Sequence, residues 1–202
     1  MINRQLHAAA LMDFEREYRA LGVVAGMDEA GRGPLAGPVV AACVIMPEEP
    51  VIDWVDDSKK LSENRREKVF QEIMEHAIAV GVGEVSAGEI DRINILEATR
   101  NAMRMAAGQV NGDIFLIDAV TSLGLHGKEI PLIKGDARSY SIAAASIVAK
   151  VTRDRTMREM DRLYPEYGFT RNKGYGTAEH IEALRRFGPC PIHRRTFIGN
   201  FV

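Results

Sequence analysis

The sequence lacks most of the features that mark secreted and membrane-spanning proteins. Its 202 residues include only two cysteines, one tryptophan and 6% aromatic residues. Cys43 and Cys190 cannot build a disulfide framework or a CxxC metal motif, so we predict a reducing, cytoplasmic setting. No apolar run is long enough to cross a bilayer, and the N-terminus lacks the charged-then-apolar order of a secretory signal.

Motifs of several common enzyme classes are missing as well. The five histidines show no HExxH spacing, which argues against a zinc site. Gly31, Gly33 and Gly37 form G-x-G-x-x-x-G rather than the dinucleotide fingerprint, and no GKS or GKT follows to make a nucleotide P-loop. The serines between positions 139 and 146 have no legible His–Asp pairing, so a serine nucleophile is not expected.

Charge is distributed unevenly along the chain, although the net charge is only −2. From Ala137 onward there are 12 Lys+Arg and 6 Asp+Glu, and the residues before it carry a net charge of −8. This asymmetry fits one basic surface for phosphates and one cluster of carboxylates. A solvated basic helix fits the same counts equally well.

Strand and helix patterns alternate along the chain, which predicts an α/β layered fold around a mixed or parallel sheet. The predicted strands cover residues 23–28, 38–46, 80–85, 114–118 and 131–134. The predicted helices cover residues 11–21, 62–79, 94–110, 137–164 and 177–187, followed by an irregular tail. Ser62 is the expected N-cap of the second helix, and Met105 is among the residues expected to face inward from the third. Since no linker separates the helical C-terminal part, we expect it to pack beside the sheet rather than form an independent domain.

Four acidic residues stand where apolar segments stop. Asp28 and Glu29 end the first predicted strand, Asp118 ends the fourth, and Asp136 lies between a strand and the long helix. Sites assemble at strand ends in α/β sheets, and carboxylates gathered there repel one another unless a cation joins them. Magnesium and manganese prefer oxygen ligands, and two such ions can assist hydrolysis of a phosphodiester.

Each acid also has a structural explanation. Asp136 precedes a helix and would serve as its N-cap, and Asp118 would begin a turn. Asp28 and Glu29 are neighbours, and neighbours in a regular strand face opposite ways. Both can serve one site only if the strand ends or bulges there, or if one of them binds through its backbone carbonyl.

A resemblance to a known family makes the function more specific. The segment Gly26–Val39, GMDEAGRGPLAGPV, resembles the opening signature of ribonuclease HII. Further blocks similar to that family follow in order: DSKKL at 57–61, KGD at 134–136, AAASIVAKVTRD at 143–154, NKGYGT at 172–177 and His193-Arg194. The match runs from about Val23 to Phe197 and so covers most of the chain.

The resemblance implies an α/β ribonuclease H-like fold, in which helices flank a mixed central sheet, with a helical C-terminal extension. We expect a single domain over residues 1–202, with the catalytic core at about 22–160 and the extension at about 161–202. The catalytic, metal-binding acids that the resemblance implies are Asp28, Glu29, Asp118 and Asp136.

The resemblance also implies substrate contacts. Gly31, Arg32 and Gly33 would read the ribonucleotide by its 2′-hydroxyl, and Tyr175 would pack on the sugar of the following nucleotide. Tyr164 and Tyr167 are rivals for the aromatic role, but Tyr175 stands between two glycines and is easier to present to a ligand. Phosphate contacts or charge balancers are expected at Lys59, Lys134 and Lys173.

The implied activity is hydrolysis of the RNA strand of RNA–DNA hybrids, and cutting on the 5′ side of ribonucleotides embedded in DNA. The products would carry 5′-phosphate and 3′-hydroxyl ends, and Mn²⁺ or Mg²⁺ would be the cofactor. We expect a monomer that acts in ribonucleotide repair and DNA replication without a membrane partner. The aromatic tail Gly199–Val202 suggests contact with a sliding clamp.

One departure and two rival functions qualify this interpretation. Ala119 follows Asp118, where many relatives have glycine, and the role of the loop Ala119–Ile130 stays open. Another nuclease on the same fold would cut all-DNA duplexes equally well. A non-enzymatic nucleic-acid-binding module, whose acids are only structural, would show no metal-dependent activity.

Overall fold

The computed structural model describes residues 10–55, 58 and 61–202. Within these residues five strands form one sheet: β1 Val24–Ala30, β2 Val39–Ile45, β3 Ala79–Val85, β4 Ile114–Asp118 and β5 Lys128–Leu132, in the order β3-β2-β1-β4-β5. β2 pairs antiparallel with β1 and β3, whereas β4 pairs parallel with β1 and β5. The predicted mixed sheet is therefore confirmed.

Helices cover both faces of the sheet. In the described part of the chain they are α1 Asp13–Arg19, α2 Glu63–His76, α3 Ala87–Ile93, α4 Ile95–Ala107, α5 Tyr140–Leu163, α6 Phe169–Asn172, α7 Ala178–Phe187 and α8 Arg195–Ile198. α5 packs on one face of β1 and β2, and α4 packs on the other. Both approaches are close: a Cβ at Gly26 of β1 would overlap the α5 backbone, and one at Gly83 of β3 would overlap Ala102 of α4.

The helix starts follow the predicted capping chemistry. Ser62 accepts a hydrogen bond from the Arg65 N–H at the start of α2, and Thr177 caps α7 in the same way. α2 ends at His76 rather than near Ala79, because Ala79 already belongs to β3. None of the described helices is both long and apolar enough to span a membrane.

Three local predictions were wrong. Met105 was expected to face inward from α4 but is 51% exposed, and Met103 is buried instead. The last strand was expected at 131–134 and lies at Lys128–Leu132. The tail after residue 187 was expected to be irregular but contains the short helix α8.

The C-terminal helices pack around the segment that joins β1 to β2. Leu35 and Ala36 of this segment share a buried cluster with Tyr167, Phe169 and other residues of the C-terminal part. The Leu35 N–H also donates to the Gly174 carbonyl oxygen at 2.8 Å. The C-terminal part is thereby tied to the end of β1, and its separation from the core near residue 160 stays a prediction.

Candidate active site

A polar cleft opens where β1 and β4 end. It has a volume of about 240 Å³ and is lined by Asp28, Glu29 and Asp118, the loop 31–33, and Tyr175. The parallel pairing of β1 with β4 stops at Met27 and Ile117, one residue before each aspartate. Three of the four predicted acids and the predicted recognition residues therefore share one cleft.

β1 neither ends nor bulges at the two neighbouring acids, so two of the three ways in which both could serve one site do not apply. The strand continues to Ala30, and Asp28 and Glu29 pair in regular register with Ala42 and Ala41 of β2. The Asp28 carboxylate accepts a hydrogen bond from the Ser146 hydroxyl on α5. Glu29 nevertheless lines the same cleft, at a position where β4 no longer covers β1.

The carboxylates of the cleft repel one another electrostatically. Burial raises the pKa of Asp28 well above its ordinary value, and the charges of Glu29 and Asp118 add to this, while the Ser146 hydrogen bond opposes it. Burial also raises the pKa of Glu29, and Arg32 opposes the shift. The buried Glu29 Oε2 has no hydrogen-bond partner among the described residues. Buried, mutually repelling carboxylates with a spare oxygen fit a site for divalent cations.

Asp136 lies beside the cleft rather than in its lining. The Gly135 N–H donates to Asp118 Oδ1 at 2.7 Å, which brings the turn Gly135–Ala137 against the end of β4. Asp136 is not the N-cap of α5; that cap is Ser139, whose hydroxyl accepts from the Ile142 N–H. Within the described residues, no three acidic, histidine or cysteine side chains already form a closed metal site.

Asp118 does begin a turn, as its structural explanation predicted. The Val120 N–H donates to the Asp118 carbonyl oxygen at 2.6 Å, and Ala119 between them has φ +50°. Glycine adopts this left-handed backbone without strain, so a glycine would fit this position more easily than Ala119 does. The turn leaves the Asp118 side chain in the cleft.

Two buried arginines, Arg194 and Arg153, contact the loop 31–33. Arg194 donates to the carbonyl oxygens of Gly31 at 2.6 Å and Arg32 at 2.9 Å. Gly31 has φ +99°, and a Cβ there would overlap the Arg153 side chain. Arg153 also donates to the Lys173 carbonyl oxygen at 2.9 Å, so the two arginines support both the loop 31–33 and the segment before Tyr175.

Tyr175 is the most exposed of the three candidate tyrosines. Its side chain is 46% exposed, and a Cβ built at Gly33 would lie 3.8 Å from its ring. Tyr167 is buried and donates its hydroxyl to the Gly188 carbonyl oxygen, and Tyr164 is partly buried in the C-terminal cluster.

The lysines were predicted as phosphate contacts or charge balancers. The ammonium of one of them, Lys173, lies 3.5 Å from a Glu63 carboxylate oxygen.

The structure gives less support for Lys134 and Lys59 as phosphate contacts or charge balancers. Lys134 has a left-handed backbone with φ +56° at the start of the turn that carries Asp136, and it is exposed. Lys59 lies outside the described residues, as does most of the DSKKL block.

Sequence reasoning missed a polar stripe on α5. Ser146, Lys150 and Arg153 all line the cleft, and Ser58 hydrogen-bonds Ser146 at 2.9 Å. Their spacing of four and then three residues places them on one helix face, and this spacing was the available signal. Arg194 had no comparable local signal, because all of its partners are distant in sequence.

A five-stranded mixed sheet in this order, with acids at the ends of its adjacent parallel strands, defines a metal-dependent nuclease of the ribonuclease H fold. The family model described as Ribonuclease HII matches residues 25–200. The chain belongs to the ribonuclease HII family, and it is an endonuclease that hydrolyses RNA paired with DNA.

Curated relatives and a solved structure agree with this assignment. Ribonuclease HII of Acetivibrio thermocellus is 53% identical, over 100% of this chain and 79% of that protein. Ribonuclease HII of Caldanaerobacter subterraneus is 57% identical, over 90% of this chain and 76% of that protein. The ribonuclease HII in a complex with PCNA from Archaeoglobus fulgidus superposes with a TM-score of 0.76 and 26% identity, over 88% of this chain and 96% of that one.

Proposed function

We propose that four acids, Asp28, Glu29, Asp118 and Asp136, hold two divalent cations and cut the phosphodiester on the 5′ side of a ribonucleotide. The observation that carries this assignment is the shared cleft, in which burial and the charges of Glu29 and Asp118 raise the pKa of Asp28, and burial and the charge of Asp118 raise the pKa of Glu29. Such carboxylates are stabilised by a bound cation and destabilised without one. Asp136 joins the set through the turn that Gly135 fixes on Asp118.

The bound cations would activate the attacking water and neutralise the departing 3′-oxygen. The protein's own part is to orient the carboxylates. Ser146 holds one oxygen of Asp28, the Gly135 N–H holds Asp118, and Arg32 lies 3.2 Å from Glu29. The free Glu29 oxygen supports binding through the side chain rather than through the backbone.

Selectivity for the ribonucleotide would come from the loop 31–33 and Tyr175. The carbonyl oxygens of Gly31 and Arg32 are already bonded to Arg194, which leaves the loop's remaining main-chain groups and the Arg32 side chain for a 2′-hydroxyl. The exposed Tyr175 ring beside Gly33 offers a platform for the sugar of the following nucleotide. Lys173, Lys134 and Lys59 are proposed as phosphate contacts or charge balancers.

The cofactor is proposed to be Mn²⁺ or Mg²⁺, since an all-carboxylate site suits both ions. We further propose a monomeric cytoplasmic enzyme whose tail contacts a sliding clamp. The PCNA complex of the Archaeoglobus relative supports the clamp contact.

The test is a cleavage assay on duplex DNA that carries one ribonucleotide. We expect a single cut on its 5′ side, loss of activity with a chelator, and recovery with Mn²⁺ or Mg²⁺. An all-DNA duplex of the same sequence should stay intact. Equal cutting of the all-DNA duplex would favour a different nuclease on this fold, and absence of metal-restored cutting would favour a non-enzymatic binding module.

A further inference from the structure

A buried hydrogen-bonded chain runs from the His193-Arg194 motif to Tyr175. The Tyr175 carbonyl oxygen lies 2.8 Å from His180 Nδ1, and His180 Nε2 lies 3.0 Å from His193 Nε2. His193 Nδ1 in turn accepts from the Cys190 backbone N–H at 3.0 Å. Both histidines are nearly inaccessible, at 0% and 2% exposure. Neither histidine has a role in the proposed function.

The proton positions on the two histidines follow from the groups at the two ends of this series of hydrogen bonds, the Cys190 N–H and the Tyr175 carbonyl. The Cys190 N–H can only donate, so His193 Nδ1 must accept and the proton of His193 must sit on Nε2. The Tyr175 carbonyl can only accept, so His180 must carry a proton on Nδ1. His180 Nε2 is then free to accept from His193 Nε2–H. Two neutral rings, each in one tautomer, satisfy these contacts, and they also allow the Cys190 thiol, whose Sγ lies 3.1 Å from His193 Nδ1, to donate to that nitrogen.

The surroundings favour this neutral state. The rings of Tyr167 and Phe169 pack against both histidines. Burial, together with the neighbouring His180 and Arg195, lowers the pKa of His193 to about 4. Burial also lowers the pKa of His180. Both histidines therefore stay neutral at neutral pH, and the series of hydrogen bonds through them is kept.

Tyr175 needs such support because its backbone lies in an irregular loop. Lys173 and Gly174 before it both have left-handed backbones, with φ +51° and +85°. The Tyr175 carbonyl oxygen accepts from the Thr177 N–H at 2.8 Å as well as from His180. Two hydrogen bonds therefore anchor the backbone that carries the exposed ring.

We propose that His180 and His193 are positioning residues that hold the Tyr175 ring against the nucleotide on the 3′ side of the cut. Neither touches the substrate; His193 orients His180, and His180 fixes the Tyr175 carbonyl. The proposal deepens the proposed function and rests on the role given there to Tyr175. It also assigns a task to the histidine of the His193-Arg194 motif.

The variants that test it are His180→Leu, which keeps the volume but removes both hydrogen bonds, and His180→Asn, which keeps a donor near the Nδ1 position. His76→Leu is the matched control, because His76 also bonds a backbone carbonyl, that of Glu72, but is only partly buried, at the end of α2. Tyr175→Ala is the reference. Initial rates would be measured on DNA with one ribonucleotide at saturating Mn²⁺.

We expect His180→Leu to raise KM by about 5-fold, within the range of one stacking contact, with kcat changed by less than about twofold. His180→Asn should recover most of this loss, and His76→Leu should match the wild type. A merely structural role for His180 would reduce the folded fraction, which lowers the apparent kcat and leaves KM unchanged. An unchanged KM in His180→Leu, beside a raised KM in Tyr175→Ala, would overturn the positioning proposal alone.

An unchanged KM in Tyr175→Ala would instead overturn the proposed role of Tyr175, and the positioning proposal with it. A second measurement needs no variant to fold. Nitrogen-15 NMR of the wild-type imidazoles should show His180 protonated on Nδ1 and His193 protonated on Nε2. The opposite tautomers, or a doubly protonated ring at neutral pH, would overturn the proposal.

Discussion

The acid cleft and the loops beside it differ in how well their polar groups are satisfied within the protein. In the cleft, burial and mutual repulsion raise the pKa of Asp28 and Glu29, and one Glu29 oxygen has no partner in the described part of the chain. In the loops, Arg194 donates four hydrogen bonds to carbonyl oxygens, those of Gly31, Arg32, Gly37 and Pro38. The cleft holds buried carboxylates that repel one another, whereas the loop carbonyl oxygens are already hydrogen-bonded within the protein.

This difference separates chemistry from selectivity. Buried carboxylates that repel one another destabilise the protein, and under the proposed function their oxygens are available to ions. Hydrogen bonds that satisfy the loop carbonyls keep the recognition groups in place before the substrate arrives, which lowers the cost of binding. Changes in the cleft should therefore act on kcat, and changes in the loops should act on KM and on the preference for a ribonucleotide.

The largest effect is expected for Asp28→Asn. The amide cannot hold a cation as a carboxylate does, so kcat should fall by about 10²–10³ or more, while the Kd for a hybrid duplex changes little. Rapid-quench rates and filter binding would measure both. Glu89→Gln is the control, since within the described residues the Glu89 side chain pairs with Arg92 on α3 and does not line the cleft. Normal turnover in Asp28→Asn would remove Asp28 from the chemistry.

A smaller effect is expected for Gly31→Ala. The new Cβ would overlap the Arg153 side chain at a backbone φ of +99°, so the loop should shift and the free energy of unfolding should fall by about 1–3 kcal/mol. Discrimination between ribonucleotide and all-DNA duplexes should weaken in parallel. Gly88→Ala in α3 meets nothing within 4 Å and should be neutral or stabilising. Equal stability of both variants would show that the loop is not rigid.

These expectations differ in how far they could be made from sequence. β4 was predicted with its correct limits because five apolar or acidic residues between turn signals leave little choice. The N-cap alternative for Asp136 could not be decided, since Ser139 is an equally good cap three residues later. Met105 was misplaced because two methionines two residues apart compete for one helix face. The roles of Arg194 and His180 depend on contacts between distant segments, which no local pattern encodes.

The smallest effect concerns acid stability. His193 has a folded-state pKa of about 4, below its ordinary 6.5, so the unfolded chain binds more protons between these values. The stability from neutral His193 is fully present above about pH 6.5 and is lost as pH falls toward 4. His193→Gln should flatten this part of the curve by about 1–2 kcal/mol in urea titrations. A wild-type and variant difference that is constant from pH 7 to 4.5 would contradict the assignment.

The comparison between cleft and loops depends on where divalent cations bind. Anomalous diffraction from crystals soaked in Mn²⁺ measures this directly. The account predicts two peaks about 4 Å apart at the ends of β1 and β4, contacted by Asp28, Glu29, Asp118 and Asp136. The side chains around Arg194 should not move when the ions bind. Manganese bound elsewhere, with these four carboxylates free of metal, would contradict the central claim.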